Sequence, residues 1–512
     1  MSDFLPPDGM TLEAAHAALL AHLEAQERPV REIDRTFYDT FDGLLHAGEL
    51  SVVREGGRLS LIEPGSGAER AGMTSSEPNQ PLLAVALASG RLRDALLSVV
   101  EHRALLPLVQ VCSRVRPLDV VDDEGKTVVR MRLEEPTLVS FNGRDTALRP
   151  RLTLAVVRGY DKALTRVRYR LEHELGFRPA DQRLVDEAVR AAGRAPAGTS
   201  SKIDAALSLQ QRADVATAAV LRGLLEVMKA NVEGTIADID SEFLHDYRVA
   251  VRRSRAVQKE LSGVFPPAGL ARFRQEFRWL QAITGDARDL DVYVLEFDHY
   301  RAMVPEGMHG DLDPLLGVLR ERRLAARRKM VQALQSDRAD RLYAQWSSFL
   351  GALESAPQED RPDAARPIGE VSGERIAKVY ERMVKMGDAI DGSSPPEDYH
   401  DLRKQGKELR YLIELFGAPL YPSEVIKPMV KSLKALQDAL GRHQDREVQV
   451  ATLRSLSHEV SGLPGGTAAL MAMGVLVEHL GEDERAARAE FAQHFGEFAS
   501  ESQRELVRDT FG

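Results

Sequence analysis

The alternation of apolar and polar residues divides the chain into two parts with different periodicities. From about residue 31 to residue 170, short β-branched runs alternate with turn residues, a pattern typical of β-strands. Beyond Ala192, almost every segment places apolar residues three or four positions apart, as amphipathic helices do. The sequence therefore predicts an α+β half with an antiparallel sheet, followed by an all-helical half.

The predicted elements define three regions. The linker is expected at 193–204, where Gly, Ala, Ser and Pro are concentrated, so the first domain is 1–192 and the helical domain is 205–505. Helices are expected at 11–25 and 91–101, with a hairpin turn at 123–126. The predicted strands are 50–53, 58–62, 107–115, 127–133, 137–141 and 152–157.

The helical half contains an internal duplication. His-Asp-Tyr-Arg at 245–248 recurs as His-Asp-Leu-Arg at 400–403, a shift of 155. Leu280-Gln281 with Gly285 and Asp289 recurs at a shift of 156, and Ala-Ala-Arg at 325–327 recurs at 486–488. A repeat this long predicts two copies of a multi-helix bundle, about 205–353 and 371–505, related by a pseudo-twofold axis and separated by a loop near 354–370.

Each repeated histidine begins a stripe of basic residues on one side of a predicted helix. At about 100° per residue, the stripe residues fall within a narrow arc, and apolar residues occupy the opposite side. Acidic residues such as Glu408 lie off these lines, so little neutralisation within each helix is expected. The stripes consist of His245, Arg248, Arg252, Arg255 and Lys259 in copy one, and His400, Arg403, Lys407 and Arg410 in copy two, where the acidic Glu414 ends the stripe.

Three interpretations of the stripes are open at this point. They could be solvated helix faces, which is the common reason for an Arg-rich helix. The two histidines could bind a metal, although the neighbouring cations repel metal ions. Like charges stacked along both copies favour the third, a shared groove for a linear polyanion, because arginine and lysine bind phosphate oxygens well.

The composition limits the alternatives. The chain has 512 residues, a net charge of −10 and one cysteine, so a polyanion site must be a local concentration of cations. The single cysteine and the lack of a signal-like or membrane-spanning apolar run lead us to expect a cytoplasmic protein without a membrane partner.

The duplicated His-x-x-Arg-x-x-x-Arg/Lys-x-x-Arg helix, with the following Leu-Gln, Gly and Asp, resembles the CHAD family of conserved-histidine α-helical domains. The resemblance covers about 205–505 and implies two pseudo-symmetric four-helix bundles around a basic pore. It also implies binding of inorganic polyphosphate and association with polyphosphate granules and their proteins. The ligands carried over from the family are His245, Arg248, Arg252, Arg253, Arg255, Arg278, His400, Arg403, Lys407, Arg410 and Lys434.

Three further polyphosphate-binding candidates come from the repeated segments. Lys259 ends the first stripe, Arg327 belongs to the third repeated segment, and His443 follows Gly441 in the second. We expect Arg327 and His443 to be the weaker candidates, because surface exposure or local structure explains such residues equally well.

The first half resembles the CYTH domain, a triphosphate tunnel with a barrel-like antiparallel sheet. Tyr38-Asp39-Thr40-x-Asp42 with Leu45 and Gly48 is similar to an early tract of that family, and 122–125 is similar to a later turn. The family's Glu-x-Glu-x-Lys strand has no counterpart before Arg31, and its later basic positions are replaced in part by Val52 and Ile62. We therefore expect a degenerate, non-catalytic domain that needs no metal or cofactor.

Remaining strand arginines of this half, Arg130, Arg132, Arg149 and Arg151, are expected to face solvent. The function that we expect is non-catalytic binding of inorganic polyphosphate by the helical half. One alternative is a metal-dependent triphosphatase or polyphosphatase in the first half. Another is binding of a nucleic-acid backbone, which we do not expect because the stripes lack base-stacking aromatic residues.

Overall fold

A computed structural model describes residues 2–63, 68–75, 80–140, 144–203, 205–391 and 393–511. The chain forms two units, Met1–Ser201 and Lys202–Gly512. The first contains a curled antiparallel sheet with helices, and the second is helical, which confirms the predicted fold class. Residues 141 and 204, which belong to a predicted strand and to the predicted linker, lie outside the described residues.

The first unit contains twelve strands within the described ranges. They are β1 (Ser2–Leu5), β2 (Ala25–Glu27), β3 (Arg31–Asp39), β4 (Ser51–Glu55), β5 (Arg58–Glu63), β6 (Ala68–Thr74), β7 (Leu82–Leu83), β8 (Ala104–Val121), β9 (Thr127–Val139), β10 (Thr146–Ala147), β11 (Arg151–Val156) and β12 (Arg178–Pro179). The helices of this unit are α1 (Leu12–Leu23), α2 (Leu44–Ala47), α3 (Arg91–Val100), α4 (Asp161–His173) and α5 (Leu184–Ala191).

The described strands form one antiparallel sheet in the order β12-β1-β11-β9-β8-β3-β4-β5-β6. The long hairpin of β8 and β9 is its centre and turns at 122–126, as predicted. The sequence predicted a break near Pro136, but β9 continues through it to Val139 and pairs there with β8. A curled sheet of this kind is consistent with a CYTH-like domain.

One face of the sheet is covered by helices. Leu19 and Leu23 of α1 and Leu171 of α4 pack on apolar residues of β8, β9 and β11 such as Leu133 and Leu152. The opposite, concave face carries charged residues, because strand alternation directs every second side chain there. These residues surround a cavity of about 360 Å³, the sheet cavity, lined by Asp3, Arg35, Phe37, Ser51, Val53, Glu55, Arg58, Ser60, Ile62, Glu69, Arg132, Glu134, Arg151, Thr153, Arg183, Leu184 and Val185.

Two sequence expectations for this unit are corrected. Arg151 was expected to face solvent but is only 1% exposed. Its burial is possible because Glu187 accepts from its Nη2 at 2.6 Å and Asp3 lies 3.4 Å from its Nη1. Arg132 lines the sheet cavity rather than facing only bulk solvent. The short strand β1 before Arg31 was not predicted, because four residues are too few to show an alternation.

The first helix of the second unit is α6. The helices are α6 (Ala213–Ala237), α7 (Ser241–Glu260), α8 (Pro267–Ile283), α9 (Gly285–Leu295), α10 (Phe297–Ala302), α11 (Asp313–Leu334), α12 (Asp337–Ala352), α13 (Ile368–Asp388), α14 (Pro396–Leu412), α15 (Ala418–Leu420), α16 (Ser423–Ser461), α17 (Gly466–Phe498) and α18 (Glu501–Phe511). A π-helical turn at Ile413–Gly417 follows α14.

The duplicated segments fold alike in the two copies, with one difference. α6, α7 and α8 of copy one correspond to α13, α14 and the first part of α16 in copy two. Gly285 begins a new helix, whereas Gly441 lies inside the continuous helix α16. The copies share their core: one apolar cluster contains Trp346 of copy one and Tyr380 of copy two.

A buried ion pair holds the segment between the copies. The Arg361 Nη2 lies 3.1 Å from Asp214 Oδ2 of α6, and both side chains are inaccessible to solvent. Arg361 also donates to the carbonyl oxygens of Val264, Leu353 and Ala356 at 2.7–2.9 Å. The guanidinium therefore replaces its lost hydration with acceptors from three different segments.

Within the described ranges, no helix is both long and apolar enough to cross a bilayer.

We expect Arg361→Met to lower the free energy of unfolding of the helical unit by about 3–5 kcal/mol, because the buried Asp214 loses one of its two arginine partners and keeps only Arg212, while three carbonyl oxygens lose their donor. Urea denaturation followed by far-UV circular dichroism measures this change. Arg341→Met is the matched control, because the Arg341 side chain is 64% exposed and lies 3.8 Å from Asp337. An equal loss in both variants would contradict the assigned role of Arg361.

Candidate functional site

The two repeated helices α7 and α14 are held by their apolar sides. Tyr247, Val251 and Val257 of α7 and Leu402 and Leu409 of α14 are buried in the shared core. An N-cap fixes the start of α7, where Asp240 Oδ1 accepts from the backbone N–H groups of residues 242 and 243 at 2.8 and 3.2 Å. The predicted basic stripes consequently lie on the sides that the core leaves uncovered.

Residues of both stripes line one cavity, which the hypothesis of a shared polyanion groove requires. Its volume is about 610 Å³, and α7, α8 and α14 form its walls. Eight lysine or arginine side chains and one carboxylate belong to the lining. The lining residues are Arg248, Arg252, Arg255, Ala256, Gln258, Lys259, Arg274, Arg278, Gln281, His400, Lys404, Lys407, Glu408 and Tyr411.

Seven of the fourteen candidate residues line this basic cavity. They are Arg248, Arg252, Arg255, Lys259, Arg278, His400 and Lys407. The other seven do not belong to its lining: His245, Arg253, Arg327, Arg403, Arg410, Lys434 and His443.

Three of these seven residues lie elsewhere in the helical unit. Arg327 lies 2.9 Å from Asp238 and is directed to carbonyl oxygens at the end of α6. His443 is 1% exposed, with its Nδ1 2.6 Å from Glu484. Lys434 is exposed on α16.

The cavity also contains residues that the sequence candidates omitted. Arg274 and Lys404 follow the helical spacing of four residues, before Arg278 and after His400, so this spacing was a usable signal. Gln281 accepts a hydrogen bond from Arg255. Gln258 is fully buried, and neither side-chain Nε2 nor Oε1 has a hydrogen-bond partner.

Acidic residues of copy two neutralise part of copy one, contrary to the expectation drawn from single helices. Glu408 lies off the stripe of its own helix, but it lines the cavity and accepts from Lys259 Nζ at 2.6 and 2.7 Å. Glu414 accepts from Arg253 Nη2 and from Arg410 Nε, each at 2.6 Å. For Arg253 and Lys259, the neutralising carboxylate comes from copy two, which spacing within a single helix does not reveal.

These ion pairs identify the pseudo-twofold relation between α7 and α14. With the shift of 155, Arg253 corresponds to Glu408 and Lys259 corresponds to Glu414. The pair Arg253–Glu414 therefore maps onto the pair Glu408–Lys259 when the copies are exchanged. Arg252 and Lys407 also correspond to each other and line the same cavity, which places both near the axis.

Each copy also packs an arginine against a glycine. A Cβ at Gly285 would be 3.7 Å from Arg248 Nη1, and a Cβ at Gly441 would be 3.5 Å from Arg403 Nη2. Arg403 lies 3.0 Å from Asp445, which anchors its guanidinium. Arg248 instead donates to the neutral oxygens Gln281 O and Thr284 Oγ1 at 3.0 and 2.9 Å.

The repeated histidines are set in different environments. Burial, together with the positive charge of Arg288, lowers the pKa of His245. His400 Nδ1 lies 2.6 Å from Gln444 Oε1. Among the residues that the structure describes, no three His, Cys, Asp or Glu side chains converge as a metal site requires. The described residues around the two histidines therefore do not provide the ligands that a metal site would need.

The basic cavity holds more positive charge than its acids neutralise. Within the described ranges, only Lys259 and Lys404 of the eight lining cations have an ion pair, and Arg252, Arg278 and Lys407 have no hydrogen bond either. Burial, followed by the charges of Arg403 and Arg252, lowers the pKa of Lys407 to about 8. Burial and the charge of Arg278 likewise lower the pKa of Arg255. An anion that enters this cavity would relieve the repulsion between these side chains.

Part of this sequence matches a known protein family. Residues 219–454 match the model of the CHAD domain. The CHAD domain from the plant Ricinus communis is 25% identical, with a TM-score of 0.49 and coverage of 57% of this chain and 95% of that one. PptA from Streptomyces chartreusis is 17% identical, with a TM-score of 0.42 and coverage of 56% and 99%.

No curated protein sequence matches the chain significantly. The match to the family model includes both α7 and α14, with their histidines and basic stripes. The helical unit of this chain therefore contains a CHAD domain.

Proposed function

We propose that the CHAD domain binds inorganic polyphosphate in the basic cavity without catalysing a reaction. The observation that carries the proposal is the set of eight cations around a cavity that contains one carboxylate. Arginine and lysine bind phosphate oxygens by charge-assisted hydrogen bonds, and the three lining cations with neither an ion pair nor a hydrogen bond within the described residues are available for them. The CHAD resemblance stated above points to the same ligand.

The arrangement of the cations favours a chain over a compact anion. Arg248, Arg252, Arg255 and Lys259 follow α7 over about 16 Å, at 1.5 Å per residue. Lys404 and Lys407 of α14 and Arg274 and Arg278 of α8 continue the positive surface on both sides. A linear polymer of phosphate units contacts more of these cations than one small metabolite does.

We also propose that the first unit does not hydrolyse triphosphates. Its sheet cavity contains carboxylates, as a metal-assisted reaction requires, but arginines hold them. Glu134 and Glu55 bind Arg35 at 2.7 and 2.8 Å, and Glu69 binds Arg58 and Ser60. Burial disfavours the charge on Arg35, but the Glu134 and Glu55 carboxylates together raise the pKa of this arginine. A cation would have to displace these guanidinium groups.

Granule association in the cytoplasm follows from the same proposal. A protein that binds polyphosphate chains concentrates where those chains accumulate, so we propose that it is localised at polyphosphate granules. Binding to a nucleic-acid backbone is the competing function, because phosphate groups are common to both ligands. Tyr411 is the one aromatic residue in the lining, and stacking on a single ring favours nucleic acid little.

The direct test is a titration of the full chain with long-chain polyphosphate. We expect micromolar or tighter binding that weakens with salt and is lost in Arg252→Glu/Lys407→Glu, because two cations at the axis become repulsive. Arg328→Glu/Lys329→Glu, which changes the net charge equally at exposed positions, is the control. Unchanged binding in the first variant would refute the site, and stronger competition by single-stranded RNA than by polyphosphate would favour the competing function.

The lowered pKa of Lys407 predicts proton uptake on binding. A lysine with a pKa of about 8 is half neutral at pH 8, and a bound polyanion raises its pKa, so each site should take up about half a proton. Affinity should accordingly fall as the pH rises above about 8. Calorimetry at pH 8 in buffers of different ionisation enthalpy measures the uptake.

Lys407→Arg supplies the control for proton uptake, because arginine stays protonated throughout this range. The variant should bind polyphosphate with little proton uptake at pH 8. Equal uptake in the variant and in the parent protein would show that Lys407 is not the titrating group.

The inactive first unit is tested with tripolyphosphate and Mg²⁺ or Mn²⁺. We expect no release of phosphate above that in protein-free solution, because arginines occupy the carboxylates of the sheet cavity. Phosphate release that disappears in Glu134→Gln would overturn the expectation and locate the activity in this cavity.

A further inference from the structure

The pseudo-twofold axis predicts a second set of positions equivalent to those of the basic cavity. We define the first half-site as the cations of the cavity that lie off the axis, and the second half-site as their equivalents. The first half-site is Arg248, Arg255, Lys259, Arg274, Arg278 and Lys404. The second half-site, in the same order, is Arg403, Arg410, Glu414, Val430, Lys434 and Val249.

The second half-site has only three of the six cations. Glu414 replaces the lysine of copy one, and Val430 and Val249 replace an arginine and a lysine. Two of the remaining cations are paired, Arg403 with Asp445 and Arg410 with Glu414. Within the described residues, only Lys434 of this set has neither an ion pair nor a hydrogen bond.

The cations of the first half-site are neutralised much less. Arg248 donates to neutral oxygens, as Arg255 does to Gln281, and Arg274 donates to the carbonyl oxygen of Gln258 at 2.6 Å. Lys259 is held by Glu408, the one carboxylate in the cavity lining, and Lys404 by Asp401 at 2.8 Å. Four of the six cations therefore have no ion pair within the described residues, against one of three in the second half-site. The two half-sites, although related by the duplication, therefore differ in their capacity to attract a polyanion.

Glu414 is central to this difference. One of its carboxylate oxygens accepts from Arg253 and the other from Arg410, so it neutralises a cation of each copy. Its side chain is 26% exposed, and its charge repels phosphate oxygens. A chain that crossed the axis into the second half-site would lose attraction at two arginines and meet one repulsive carboxylate.

On the basis of the function proposed above, we propose that Glu414 confines a bound polyphosphate chain to the first half-site and the axis. Copy two contributes His400, Lys404 and Lys407 to that site, but its own half-site stays closed to the chain. The groove thus has a direction: the chain is anchored by copy one and extends only as far as Arg252 and Lys407. Removal of the Glu414 charge opens the second half-site to longer chains.

The test compares a short and a long ligand, tripolyphosphate and long-chain polyphosphate, on the full chain. We expect Glu414→Gln to raise affinity for the long chain about three- to tenfold, and to change affinity for tripolyphosphate by less than about twofold. Glu408→Gln is the matched control at the other interhelical pair. It releases Lys259 inside the first half-site, so it should raise affinity for both ligands.

The equivalent residues Arg278 and Lys434 provide a second, independent measurement. In the parent protein, Arg278→Gln should weaken long-chain binding about fivefold or more, whereas Lys434→Gln should change it by less than about twofold. In the Glu414→Gln background, Lys434→Gln should weaken long-chain binding markedly, because the opened half-site now uses this lysine. A change in folding stability alone would not produce such coupling between positions 414 and 434.

The outcomes separate this proposal from the function on which it rests. If the parent protein binds neither ligand, polyphosphate binding itself is refuted. If the parent binds both ligands, but Glu414→Gln leaves long-chain binding unchanged or strengthens both ligands equally, only the confinement by Glu414 is refuted. A gain in affinity cannot come from misfolding, and thermal unfolding of each variant verifies that the helical unit remains folded.

Discussion

The arrangement of the helical unit depends on how the repulsion between two cationic helix sides is balanced. α7 and α14 direct their basic residues toward one cavity, while Tyr247 and Leu402 anchor their other sides in the shared core. Burial of apolar surface holds the helices together, and the interhelical carboxylates reduce the repulsion. Neutralisation is incomplete, because within the described residues only Lys259 and Lys404 of the eight lining cations have an ion pair. Burial, followed by the charge of neighbouring cations, lowers the pKa values of Lys407 and Arg255. The remaining positive charge is the physical basis for binding an anion.

The sheet cavity of the first unit shows why the number of arginines does not by itself indicate a binding site. Arg35, Arg58 and Arg151 line it, but each is paired with at least one carboxylate. The buried pairs of Arg35 and Arg151 fix these side chains in place, and a paired arginine contributes little net attraction for a ligand. In the basic cavity, Arg252 and Lys407 lack such partners within the described residues. The difference between a structural arginine and a binding arginine is therefore the state of its partners.

Features with a local period could be predicted from the sequence, and features that join distant segments could not. The two halves, the duplication and the basic stripes follow from residue spacing along single helices and strands. The pairs Lys259–Glu408 and Arg253–Glu414 join residues about 150–160 positions apart, so the sequence indicated an unneutralised groove where the structure has a partly neutralised one. Burial of Arg151 depends in the same way on Asp3, at the far end of the chain.

The asymmetry of the groove follows from the pseudo-twofold geometry. Because the axis relates position 253 to 408 and position 259 to 414, an exact repeat of copy one would place an arginine opposite a lysine at both interhelical contacts. Two repulsive contacts next to the buried axis would destabilise the association of the copies. Glutamates at 408 and 414 make both contacts attractive, but they remove cations from copy two and add a carboxylate to each side of the axis. In this chain, the residues that make the contact between the copies attractive are therefore also the ones that make the groove asymmetric.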